Sequence, residues 1–131
     1  METSAENTIL LDFDGSCAPF SWPKKPGPPY PGLVEALKRL KAEGFHIVIF
    51  TARMWKGWGP AYRQKQITEM LDWLAENKIP FDEVTNEKRP ALWMIDDRAL
   101  GVPTTKFGWE VLASHILGST EDGYGKISRD D

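Results

Sequence analysis

Cysteine is almost absent from this 131-residue chain. Cys17 is the only one, so the chain can close no internal disulfide and build no thiolate zinc site by itself. Long apolar runs are missing as well. Nowhere do about 18 apolar residues stand together, the length a membrane helix needs, and no basic stretch leading into an apolar one opens the chain as a secretory leader would. Positive charge is not in excess: 16 Lys and Arg stand against 19 Asp and Glu, which argues against a general nucleic-acid coat and leaves room only for a local basic pocket. These absences predict a cytoplasmic protein in a reducing environment, without a membrane partner. The length predicts one domain over residues 1–131, with a core of its own and no room for a second, capping domain.

What is present alternates. Residues 1–7 are polar, and residues 8–13 form an apolar run that reads as a strand buried on both faces, delivering Asp12 and Asp14 to a stop at Gly15. Residues 16–32 hold six prolines together with Phe20, Trp22 and Tyr30. Prolines forbid regular structure but stiffen the chain, so this reads as an ordered loop over the site. Pro31 suits a helix start, and Leu33, Val34, Leu37 and Leu40 repeat at helical spacing until Gly44. A second buried strand spans 45–50 and ends at Thr51, Ala52 and Arg53. After an aromatic loop at 55–60, Ile67, Met70, Leu71 and Leu74 mark a helix from Ala61, ended by residues 77–80. A short strand at 83–85, a loop at 86–90 carrying Lys88 and Arg89, and a fourth strand at 92–95 ending in Asp96 and Asp97 follow. Residues 102–107 predict a small strand and 109–117 a last helix with Val111, Leu112 and Ile116 inward; residues 118–131 read as a flexible tail. Strands alternating with helices predict an α/β fold, a parallel sheet flanked by helices.

Parallel sheets gather ligands at the carboxyl ends of their strands, and here three such ends carry polar chemistry. Two carboxylates two residues apart point the same way along an extended backbone and repel unless a cation sits between them. Mg²⁺ fits, as a hard ion held by carboxylates, water and substrate oxygen. Asp12, ionised at neutral pH at its ordinary pKa of about 3.9, could attack phosphorus. Asp14 could protonate the leaving oxygen and later deprotonate water. Asp97, supported by Asp96, would join Asp12 and Asp14 around the metal. Thr51 offers a hydroxyl and a backbone N–H to a phosphoryl oxygen, with Ala52 and Arg53 beside it on the substrate side. Lys88 would neutralise charge in the transition state, with Arg89 as its rival.

The set Asp12-Phe13-Asp14-Gly15, Thr51, Lys88 and Asp96-Asp97, in this order, resembles the four motifs of the haloacid dehalogenase (HAD) superfamily, over residues 8–117. The resemblance implies a Rossmann-like core, Mg²⁺ dependence and an aspartyl-phosphate intermediate. It implies Asp12 as nucleophile, Asp14 as acid/base, Lys88 as the third-motif cation and Asp97 as the main metal ligand. An acid at Asp14 implies phosphate esters, since dehalogenating members lack one there. Ser16 stands where threonine is commoner. With only a proline-rich loop after the first motif and one helix and a short strand between Thr51 and Lys88, the chain is similar to capless members. Their open sites admit large substrates or are covered by a partner, so a phosphorylated small molecule, a nucleic-acid end and a homo-oligomer over the site are all expected partners.

Other readings stand beside these. A calcium-binding EF-hand needs its glycine sixth and a glutamate twelfth in a loop between helices, whereas Gly15 is fourth from Asp12 and follows an apolar strand. Thr51 could cap the next segment, and Arg53 and Arg98 could make structural ion pairs. Trp22, Trp55 and Trp58 could stack on a base or sugar, or close over their own domain. His46 reads as a satisfied core histidine, and Cys17 as a packing thiol without a base. A HAD-like binding module without catalysis is the remaining alternative.

Overall fold

The structure, a computed structural model, describes residues 5–121, with side chains to residue 118. Four strands, β1 (Thr8–Asp12), β2 (His46–Phe50), β3 (Glu83–Thr85) and β4 (Trp93–Ile95), pair in parallel in the order β3-β2-β1-β4. Helices α1 (Leu33–Ala42) and α2 (Pro60–Glu76) connect β1 to β2 and β2 to β3. This is the expected α/β, Rossmann-like arrangement. The β1–β2 register pairs Thr8 with His46 through to Asp12 with Phe50, and β1 meets β4 at Ile9–Trp93, Leu10–Met94 and Leu11–Ile95.

Two successive right-handed crossovers in one direction place both helices on the same sheet face. On that face Ile9, Leu11 and Phe13 of the first strand and its exit pack with Ile47 and Ile49, Leu37 of α1, and Met70, Trp73 and Leu74 of α2. Alternation sends Leu10 and Val48, also buried, to the opposite face. The helix boundaries follow local chemistry. Gly32 and Gly44, at φ +87° and +94°, bracket α1 in a conformation costly for other residues, and Pro60 opens α2 where its missing N–H has no partner to lose. Leu71, expected inward, is exposed; Gln66 and Trp73 take inward positions instead.

The proline-rich loop is ordered, as expected, and its anchors are to α2. Trp22 is buried and its Nε1–H donates to Gln66 Oε1 at 2.9 Å, while Trp73 Nε1–H donates to the Gly27 carbonyl at 2.8 Å.

Among the described residues the chain divides after Asp97 into two compact units. The second contains a stretch without regular structure and α3 (Lys106–Glu121). No strand forms at 102–107, because Thr105 caps α3 through its hydroxyl to Gly108 N–H and the helix has started by Lys106. Val111 and Ile116, expected inward, are exposed. The helix runs past residue 118 to Glu121; the rest of the expected tail, 122–131, lies outside the described residues. No described helix is long and apolar enough to cross a membrane.

Where β2 and β3 begin, opposite the strand ends that carry the aspartates, a charged cluster closes the sheet. His46 Nε2 pairs with Glu83 at 2.5 Å, Arg89 with Glu83 at 2.5 Å, and Lys41 with Asp82, which also accepts the Ile47 N–H at 2.8 Å. Desolvation pushes the Asp82 carboxyl up, but the Lys41 ammonium and the Ile47 N–H together hold it below its ordinary value; the hydrogen bonds from His46 and Arg89 lower Glu83. Carboxyls lowered in the folded state contribute stability above their unfolded pKa and lose it as pH falls through the folded one. The melting temperature should therefore drop as pH falls from about 5 to about 3, and Asp82→Asn, which still accepts from Ile47, should drop less over that interval. Equal acid sensitivity in the two proteins would assign the effect elsewhere.

Candidate functional site

The sheet order reverses direction at β1: β2 and β3 lie to one side and β4 to the other. Crevices at such switch points, outside the carboxyl ends of the strands, are where open α/β sheets bind ligands. Asp12 ends β1, and Asp96 and Asp97 follow β4, so the carboxylates converge at that crevice. One oxygen from each of Asp12, Asp96 and Asp97 lies within 4.8 Å of the others.

Two small residues make this approach possible. Gly15 sits at φ +90°, and a Cβ there would come within 2.1 Å of Asp97 Oδ2, so any side chain would push that carboxylate out. Ser16 donates its hydroxyl to Asp12 Oδ2 at 3.2 Å and accepts the Asp97 backbone N–H at 3.0 Å, tying the β1 carboxylate to the chain leaving β4. This bridging role was not foreseen in the sequence, where Ser16 registers only as a stand-in for threonine.

Crowding alters Asp12. Burial first, then the charges of Asp96 and Asp97, push its carboxyl up to about 8, so without a cation it holds its proton at neutral pH, contrary to the ionised state expected from its ordinary value. Three oxygen donors that repel one another suit a hard divalent ion. Cys17 is fully buried, and burial followed by the charges of Asp12 and Asp14 pushes its thiol up to about 12, which makes it the inert packing residue expected.

Asp14 does not join the cluster. The strand ends at Asp12, so the two-residue alternation no longer applies at Asp14, and its carboxylate turns to Arg53 instead. Arg53 Nε donates to Asp14 Oδ2 and Nη2 to Asp14 Oδ1, both at 2.9 Å. Arg53 is completely buried, with Asp14 across the Nε–Nη2 edge of its guanidinium. Its remaining donors reach Gln66 Oε1 at 2.7 Å and the Lys24 carbonyl at 3.1 Å.

Thr51 follows β2 directly. Its backbone N–H is bound to the Thr85 carbonyl at 2.9 Å and so is not offered to a ligand, and its Oγ1 accepts the Arg53 N–H at 3.0 Å, capping the one-turn helix Ala52–Met54. Only the hydroxyl proton remains to be given. Lys88 is exposed in the loop after β3. That loop doubles back along its own strand, since Arg89 pairs with Glu83 at the strand's start, and among the described residues no hydrogen bond or ion pair ties Lys88 to the aspartates. Of the three loop tryptophans, Trp22 is buried and Trp58 is held by its Nε1–H on the Ala52 carbonyl. Trp55, edge-on to Trp58 at 5.0 Å and folded over Gly57, is 54% exposed.

No protein-family model and no curated protein matches the chain. A solved structure of a conserved protein from Bacteroides thetaiotaomicron is similar in fold: it is 24% identical, with a TM-score of 0.56 over 91% of this chain and 98% of that one.

Proposed function

We propose that the chain is a Mg²⁺-dependent phosphatase of the HAD type, hydrolysing phosphomonoesters through phospho-Asp12. The observation that carries this reading is the meeting of Asp12, Asp96 and Asp97 at the switch point of the sheet, from two distant parts of the sequence. Those three carboxylates would hold the cation, which when bound would offset phosphoryl charge and favour ionised Asp12. An Asp12 oxygen then forms a bond to phosphorus as the bond to the departing alcohol breaks. Asp14 gives the departing alcohol's oxygen a proton and later takes one from the water that cleaves the phospho-aspartate. The Thr51 hydroxyl keeps its proton for a phosphoryl oxygen, and Lys88 is the loop cation assigned to transition-state charge.

Trp55 favours one narrower reading, a nucleotide or nucleic-acid-end phosphatase, because its half-exposed indole beside Lys56 offers a base a stacking face. A site without a capping domain, as the resemblance implies, would also suit a large substrate or a second copy of the chain, and a lone cysteine suits a reducing cytoplasm. Wild-type protein assayed on aryl, nucleotide and sugar phosphates should release phosphate with Mg²⁺, stop in EDTA and resume on adding Mg²⁺ back. No release from any of them with Mg²⁺ present would overturn the proposal.

A further inference from the structure

We infer that Arg53 is a positioning residue that fixes the Asp14 carboxylate and couples it to the proline-rich loop; this rests on the acid/base role proposed for Asp14. A guanidinium carries five N–H donors in a rigid fork. Here the fork faces Asp14 with two parallel bonds of 2.9 Å, the bidentate geometry that fixes a carboxylate in both distance and plane. The other donors face inward: Nη1 to Gln66 Oε1 at 2.7 Å, with Glu69 Oε2 at 3.7 Å, and Nη2 also to the Lys24 carbonyl. The guanidinium further lies 5.4 Å from the Phe13 ring centre.

The contacts come from three parts of the fold. Asp14 leaves β1, Gln66 and Glu69 belong to α2, and Lys24 belongs to the loop. Gln66 Oε1 also accepts Trp22 Nε1–H, so a single amide oxygen joins the loop's buried tryptophan to the arginine that holds Asp14. Arginine uses one lone pair on each Asp14 oxygen and leaves a second on each. Burial among these partners makes the ion pair costly to break and rigid while intact.

The leaving group gives a readout that stability alone does not move. A nitrophenolate departs with little help, whereas an alkoxide needs the proton from Asp14 as the phosphorus–oxygen bond breaks. Both esters are turned over by the same sample, so any loss of folded protein cancels in their ratio. In Arg53→Lys, which keeps the charge and loses the fork, kcat/KM for an alkyl phosphate should fall about 10-fold or more relative to that for nitrophenyl phosphate. In Gln66→Met, which leaves Asp14 untouched and loosens the arginine, the ratio should move the same way by less. An unchanged ratio in both variants, or one shifted toward the alkyl ester, overturns the inference while leaving the phosphatase reading intact. Absence of wild-type turnover would instead remove the reading beneath it.

Discussion

Asp12→Asn should abolish phosphate release while making the metal-free protein more stable at pH 8. The two effects share one cause. Under the proposed chemistry Asp12 supplies the attacking oxygen, and the amide oxygen of asparagine is a poor nucleophile, so turnover should fall by at least about 10³-fold. The stability change runs the other way. An acid whose folded pKa is raised, here to about 8 by burial and by Asp96 and Asp97, costs the fold stability as pH climbs from its unfolded value of about 3.9 through the folded one. Asparagine is neutral throughout and escapes that cost. Thermal melts in EDTA should therefore coincide for wild type and variant near pH 4 and separate by several degrees near pH 8, the variant melting higher. Mg²⁺ should raise the wild-type melting temperature at pH 8 and the variant's little. A variant that turned over normally would remove Asp12 from the chemistry; one that lost activity and melted lower in EDTA at pH 8 would mean that the carboxylates do not strain the fold.

Much of the frame was legible because it rests on patterns that tolerate few alternatives. The apolar runs ending at Asp12 and Phe50 are the strands β1 and β2, and the spacing of Leu33, Leu37 and Leu40 is the helix between them, with Gly44 at its exit. The convergence of Asp12 with Asp96 and Asp97 followed from placing each at a strand end. What failed to show were polar residues with buried partners. Reading a helix by its apolar spacing passes over Gln66, whose amide is buried because it accepts from both Arg53 and Trp22. Asp14 was placed by strand alternation, a rule that ends where the extended backbone ends. A signal for its partner was present: a buried arginine requires a carboxylate, and Arg53 stands three residues past the end of β2's apolar run. Lys88 was assigned by motif order, which fixes its place in the chain and not the contacts its side chain makes in the loop after β3.

Trp73→Ala should be the most destabilising single change in the core, costing about 3–5 kcal/mol. Trp73 is 2% exposed on the inner face of α2, meets the Phe13 ring edge-on at 5.4 Å, and spends its indole N–H on the Gly27 carbonyl. Truncation leaves a cavity under the sheet at the point where β1 exits toward Asp14, and it removes one anchor of the proline-rich loop, the bond to the Gly27 carbonyl. For a chain of this size such a loss lowers the melting temperature on the order of 10–20 °C. Trp73→Phe separates the two contributions. It keeps much of the ring packing, loses some buried volume, and gives up the hydrogen bond, whose loss costs about 1 kcal/mol plus the penalty of an unpaired carbonyl if Gly27 stays buried. Denaturant melts should rank the three proteins in that order, with the larger step between Phe and Ala. If the larger step instead falls between Trp and Phe, the loop anchor outweighs the packing of the core, and the Gly27 contact is what holds the first strand's exit in place.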